Sequence, residues 1–181
     1  MRKSKFIKHI DRLTEDELKE ELIGLYDKVK EVKQYYKMEL GSVEERKKNY
    51  TAAKADIASK YKTKSYRRPR RPRIQKIRKI LSELEKLSIF SYELIDVYLY
   101  DVECALKFAR EYDYFTQVLY NNITRSFSRA MDLIEQNRMQ KEYQERCDHI
   151  LQLSRYIHEL YQEMISLSDD VFKSSDDKNS I

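Results

Sequence analysis

Glycine and proline are nearly absent from this chain: two of each stand in 181 residues, and there is no tryptophan. A sheet-rich fold draws on glycine for its turns and bulges, whereas helices need neither residue. The scarcity therefore excludes most β architectures and reads as all-α. Cysteine is almost as rare. Cys104 and Cys147 stand far apart, without a CxxC pair or a neighbouring histidine cluster, so a zinc site or a disulfide framework is not expected. Long apolar runs are missing too. The N-terminus, MRKSKFIKHIDRL, lacks a core of signal-peptide length, and no stretch approaches the roughly 20 apolar residues of a membrane span. A cytoplasmic chain with reduced thiols and no membrane contact is expected.

What is present is charge and tyrosine. Charged residues make up 37% of the chain, above the usual quarter or so. Fifteen tyrosines stand beside six phenylalanines, which suits seams where a buried ring keeps its hydroxyl in reach of a partner. The net charge of +5 is unevenly spread: 22 basic residues face 12 acidic ones up to Arg73, and 14 face 19 beyond it. Halves of opposite sign point to an anionic partner for the front half, to attraction between the halves, or to pairing between copies.

The hydrophobic periodicity is helical throughout. Lys5 to Leu13 fits a short helix. Thr14 with Glu17 forms a capping-box pattern, and Leu18, Leu22, Leu25, Val29, Val32 and Tyr36 then mark one face. Gly41 stops that helix, and Ser42 with Glu45 opens another, with a thin stripe of Tyr50, Ala53, Ile57 and Tyr61. These segments predict an N-terminal helical hairpin over residues 1–61. A basic linker, 62–72, follows. A helical domain, 73–168, carries four helices, as a four-helix bundle or stacked helical hairpins. Breaks are expected near Asp113 and at Asn137. The last helix, Gln140 to about Leu167, has two apolar stripes, which predicts a central position or an oligomer contact. The acidic tail, 169–181, is expected to be disordered.

The run LYDKVKEVKQYY, Leu25 to Tyr36, followed by an Arg- and Pro-rich link and a helical block, resembles an uncharacterised bacterial family of small basic proteins. The likeness covers roughly the first half of the chain. It implies an α-helical fold and lends no activity and no site residues.

No catalytic signature stands out. Cys104 and Cys147 lie among apolar residues without a glycine-rich elbow and read as buried structural thiols. His149 and His158 fall on opposite faces of a helix, and Glu145 with His149 reads as a solvated pair. No enzyme activity, cofactor or metal is expected. Asn121, Arg125, Ser128 and Asp132 form a polar stripe opposite Leu119, Ile123 and Phe127. Such a stripe is either a recognition face or a solvated one, and the solvated reading is preferred.

The segment from Lys60 to Lys79 carries the most information. Between Asp56 and Glu83 there are eleven Lys or Arg residues and no carboxylate. Arginine pairs bidentately with phosphate or carboxylate, and cations in the first turn of the following helix oppose its dipole. Lys64, Arg67, Arg68, Arg70, Arg71, Arg73 and Lys76 are therefore the expected anion- or partner-binding residues. Glu93, Asp96 and Glu103 form an acidic face suited to docking basic residues, from this chain or a second copy. The reading is a non-catalytic helical interaction or adaptor protein, in which the basic segment engages an acidic protein surface or a second copy in a homo-oligomer. The alternative is a nucleic-acid-binding module with weak sequence preference.

Overall fold

The structure, a computed structural model, describes residues 2–67, 69–87 and 91–176. Among these residues there are nine helices and no strand, so the all-α expectation holds. They are α1 (Lys3–Ile10), α2 (Glu15–Lys28), α3 (Lys30–Leu40), α4 (Val43–Tyr61), α5 (Ile74–Leu87), α6 (Ser91–Tyr112), α7 (Gln117–Gln136), α8 (Gln140–Ser154) and α9 (His158–Asp176).

Local chemistry explains many of the boundaries. Thr14 Oγ1 accepts from the Glu17 amide while Glu17 Oε2 accepts from the Thr14 amide at 2.8 Å, and Ser42 with Glu45 repeats the arrangement at 2.9 Å. Each reciprocal pair satisfies donors that a helix start would otherwise leave orphaned. Gly41 is required by close approach, not by a special dihedral angle: a Cβ there would lie 2.3 Å from the Lys37 carbonyl oxygen. Asp113 and Arg138 take positive φ values of 46° and 57° at the turns on either side of α7, and the Asn137 side-chain amide donates to the Leu133 carbonyl at 2.7 Å.

Two expected helices are interrupted. The helix foreseen from Thr14 to Gly41 breaks at Val29, which is extended (φ −111°, ψ 109°). A β-branched residue tolerates that conformation well. Ten residues of continuous helix would hold Tyr26 and Tyr36 about 15 Å apart, whereas the break brings their rings to 6.4 Å, with Lys33 Nζ 5.1 Å from the Tyr26 ring centre. The last helix breaks at 155–157. There the buried Ser154 hydroxyl donates to the Leu151 carbonyl at 2.8 Å, a local bond that competes with helix continuation. The Tyr156 hydroxyl donates to Leu106 of α6 at 3.0 Å. The two stripes thus belong to two helices packed on each other, α8 through Cys147 and Ile150, α9 through Leu160 and Met164. Among the described residues from 73 onward there are five helices where the sequence predicts four.

The central element is α6, not the C-terminal helix. Eleven of its residues are buried, spread over most of its circumference, as befits a helix surrounded by others. Packed against it are α4, α5, α7 and α8, with α9 on the far side of α7 and α8. Tyr50, Ile57 and Tyr61 of α4 belong to the same core as α6 and α7, so the boundary drawn at residue 61 is not a break in packing. α9 runs on to Asp176 with Val171 buried, so the expected tail is helical through its first eight residues, and the rest of it lies outside the described residues.

Candidate functional site

The basic link leaves α4 at Lys62 and enters α5 after Arg73. Its course is tied down at both ends. The Arg73 amide donates to the Lys60 carbonyl at 3.3 Å, and Thr63 Oγ1 accepts from the Arg70 amide at 3.0 Å and the Ser65 amide at 3.4 Å. Lys64, Arg67, Arg70, Arg71, Arg73 and Lys76 are all exposed, and none forms an ion pair with a described residue. Arg68 lies outside the described residues. The flanking cations behave differently: Lys60 pairs with Asp56 and Lys79 lies 3.8 Å from Glu83. The hydrogen bond from Lys60 is the main reason that the Asp56 carboxyl falls below its usual value, with the charge of Lys76 adding a little. Tyr66, 72% exposed, stands beside Tyr112 with ring centres 5.6 Å apart.

The acidic face is not the counterpart of this link. Arg146 of α8 bonds Asp96, reaches the Asp96 carbonyl at 3.4 Å, and donates to Glu103 at 2.7 Å; Lys54 of α4 bonds the other Asp96 oxygen. Burial acts to raise the Asp96 pKa, but the bonds from Lys54 and Arg146 outweigh it and hold the carboxyl below its ordinary value. Glu93 accepts a 3.3 Å bond from Tyr92, and its other carboxyl oxygen is buried without a partner. Of the face expected to dock basic residues from this chain or a second copy, Asp96 and Glu103 are engaged by basic residues of this chain other than those of the link. Cations from α4 and α8 of the same chain cover two of the three residues, because α6 is central and both faces of it are packed.

The structure adds a site that the sequence reading did not assemble. Asp101 of α6 is fully buried. Tyr61 of α4 donates to its Oδ1 at 2.7 Å; Asn122 and Ser126 of α7 donate to its Oδ2 at 2.9 and 2.8 Å. Burial raises the Asp101 pKa, against the bonds from Tyr61, Ser126 and Asn122 and the charge of Arg78. The Tyr61 hydroxyl is pushed well above its ordinary value, by burial first and the Asp101 charge second. Four side chains from three helices thus satisfy one another in the core.

Beside this network, between α5, α6 and α7, lies a cavity of about 290 Å³. Arg78 and Ser82 come from α5, Arg125, Ser128 and Arg129 from α7, and Asn122 and Ser126 from the buried network itself. Arg129 is compensated. It bonds Glu85, with the Nε contact at 2.6 Å, and lies 3.8 Å from Asp132. Tyr98 donates to the second Glu85 oxygen at 3.2 Å; burial, and then Glu85, push that phenol up to about 12. Arg78 Nε is buried with no acceptor, and Arg125 makes no hydrogen bond or ion pair with a described residue.

Of the polar stripe read from the sequence, Arg125, Ser128 and Asp132 line this cavity, while Asn121 instead accepts from Gln117 at 2.8 Å. Asp101, Asn122, Ser126 and Tyr61 were missed as a group, yet the signal was there. Asp101 sits three residues after Tyr98 and four before Ala105, inside the apolar stripe of α6, and Asn122 and Ser126 sit among Leu119, Ile123 and Ala130. A polar residue on a core face demands a partner.

Among the described residues no group of three His, Cys, Asp or Glu side chains could hold a metal ion. Burial pushes Cys104 up to about 11 and Cys147 up to about 12, so both are protonated thiols near neutral pH. No described helix is long and apolar enough to cross a membrane. The model of a family of unknown function (DUF6155) matches residues 1–169, and the chain belongs to that family. The match extends well beyond the first half that the Leu25–Tyr36 run suggests. No curated protein and no solved structure matches the chain.

Proposed function

We propose that this member of the family is a non-catalytic helical interaction protein whose basic link engages an acidic surface of another protein molecule. The observation that carries the reading is the contrast between two sets of cations. Lys54, Arg129 and Arg146 are paired within the fold, while Lys64, Arg67, Arg70, Arg71, Arg73 and Lys76 are exposed and form no ion pair with a described residue. Asp96 and Glu103 on the acidic face of α6 are already paired with Lys54 and Arg146, which supports a complement on another molecule, a second copy of the chain included. Cytoplasmic residence is part of the same reading, in keeping with two free thiols.

A second reading, nucleic-acid binding with weak sequence preference, is favoured by Tyr66, whose ring lies open between Lys64 and Arg67 as a stacking face. One experiment separates the two. The full chain is titrated with polyglutamate, with single-stranded RNA and with duplex DNA at two salt concentrations, beside a variant with Arg67, Arg70 and Arg71 changed to Ser. The leading reading expects polyglutamate binding that the variant loses. Tighter binding to RNA or DNA, with affinity falling by a log–log slope of about −0.9 per duplex phosphate contacted, establishes the second. Absence of binding to all three ligands at low salt refutes both. The mass of the chain in solution, compared between wild type and variant, reports whether the partner is a second copy.

A further inference from the structure

The cavity between α5, α6 and α7 lies apart from the basic link and its chemistry is different. Three guanidinium groups border it: Arg129 is held by Glu85 with Asp132 nearby, while Arg78 and Arg125 form no ion pair with a described residue, though the Arg78 charge acts on the buried Asp101. Arg78 presents a buried N–H without an acceptor, and Arg125 approaches from α7 without an ion pair. Asp101 takes its hydrogen bonds from Tyr61, Asn122 and Ser126 and none from Arg78, whose charge alone acts on it. A buried donor left unmade is costly, and two guanidinium groups facing one cavity repel each other unless an anion lies between them.

The chemistry of the walls narrows the ligand. Arginine forks pair bidentately with phosphate or carboxylate oxygens. Glu85 and Asp132 leave the three guanidinium groups of the lining with a net positive charge, and a phosphomonoester, at about −1.5 to −2 near neutral pH, is attracted to it more strongly than a single carboxylate and offers three oxygens against two. Ser82 and Ser128 add hydroxyl groups at the rim, fit for a third phosphate oxygen or for a hydroxyl on the ligand. The volume of about 290 Å³ sits at the small end of ligand sites, which rules against a macromolecular strand and fits a small metabolite. The walls are preset: Glu85 is clamped between Arg129 and Tyr98, and the floor is locked by the Asp101 network, so little ordering is required when a ligand enters.

We propose that the pocket between α5, α6 and α7 is a binding site for a small phosphomonoester, gripped by Arg78 and Arg125 over the floor formed by Asn122 and Ser126.

The test follows the arginine Nε–H signals of the full chain by 1H–15N NMR during titration with inorganic phosphate, glycerol phosphate and acetate. Glycerol phosphate is expected to shift the Arg78 and Arg125 signals saturably with a dissociation constant of about 1 mM or tighter. Acetate is expected to bind at least about tenfold more weakly, in line with one charge against two. Arg125→Gln, at an exposed position where folding is safe, is expected to weaken glycerol phosphate binding about tenfold or more, while the triple Ser variant of the link leaves it unchanged. No saturable shift of either signal up to about 20 mM ligand overturns the site. So does equal binding by Arg125→Gln, or loss of binding only in the link variant. Saturation by inorganic phosphate alone overturns the ester assignment, and equal affinity for acetate overturns the dianion assignment.

Discussion

Changing Tyr61 to Phe removes one hydroxyl and leaves the ring, which packs 6.1 Å from Phe108. The lost atom donates at 2.7 Å to the fully buried Asp101. A hydrogen bond to a charged group contributes about 1.5–3 kcal/mol, so the variant should be destabilised by that amount at pH 7. For a chain of this length the melting temperature should drop by roughly 3–12 °C. The pH dependence makes the test sharper. Burial holds the Asp101 pKa above its ordinary value, so the native state binds this proton more tightly than the unfolded chain. The group therefore favours folding below the ordinary aspartate pKa, and that contribution is lost as pH rises through the native value. The Tyr61 bond works against the shift by favouring the ionised form. Without it the native pKa rises further, so the cost of the substitution should be full above the raised native value and shrink as pH falls through it. Urea unfolding of wild type and variant at several pH values measures this directly. Ser126→Ala, which removes a second donor to the same carboxylate at 2.8 Å, completes a double-mutant cycle whose coupling should exceed about 0.5 kcal/mol. A variant as stable as wild type at pH 7, or a cost that grows on acidification, would refute the account of Asp101 as the acceptor of a buried network.

Two further outcomes are expected. Arg146→Ala leaves Glu103 without its ion pair and Asp96 with Lys54 alone, and should cost about 1–3 kcal/mol in urea unfolding at neutral pH. Because the native Asp96 pKa is depressed, its stabilisation is present above the ordinary aspartate value and lost as pH falls through the lower native one, so the gap from wild type should narrow as pH falls through that native value. Gly41→Ala places a methyl 2.3 Å from the Lys37 carbonyl oxygen and should cost roughly 1–3 kcal/mol by forcing the α3–α4 corner apart; a thermal shift of less than a degree would contradict it.

Local signals carried the helix starts well. The Thr14–Glu17 and Ser42–Glu45 boxes, the Asn137 stop and the turn at Asp113 are all readable from a few adjacent residues, because capping is chemistry within one turn. The breaks at Val29 and at 155–157 were not readable, since they depend on contacts with residues far along the chain: Tyr26 with Tyr36, and Tyr156 with Leu106. The same holds for the site. The exposure of the link follows from its composition, but only packing reveals that Arg146 and Lys54 have already claimed Asp96. Arg125, Ser128 and Asp132 were visible as a stripe on α7. Their companions Arg78 and Glu85 arrive from α5, and no spacing rule joins two helices across a cavity. The buried polar set was the one distant feature that left a trace, as Asp101, Asn122 and Ser126 stand where an apolar face should be continuous.

The bond from the Arg73 amide to the Lys60 carbonyl closes the basic link at its base. Lengthening a flexible loop whose ends are held together costs only about 0.6 kcal/mol for each doubling. The link therefore behaves as an exchangeable cassette on a fixed helical frame. A longer or differently charged segment between Lys62 and Pro72 would keep the bond between Arg73 and Lys60 but lose the Thr63 bonds and the Tyr66–Tyr112 contact.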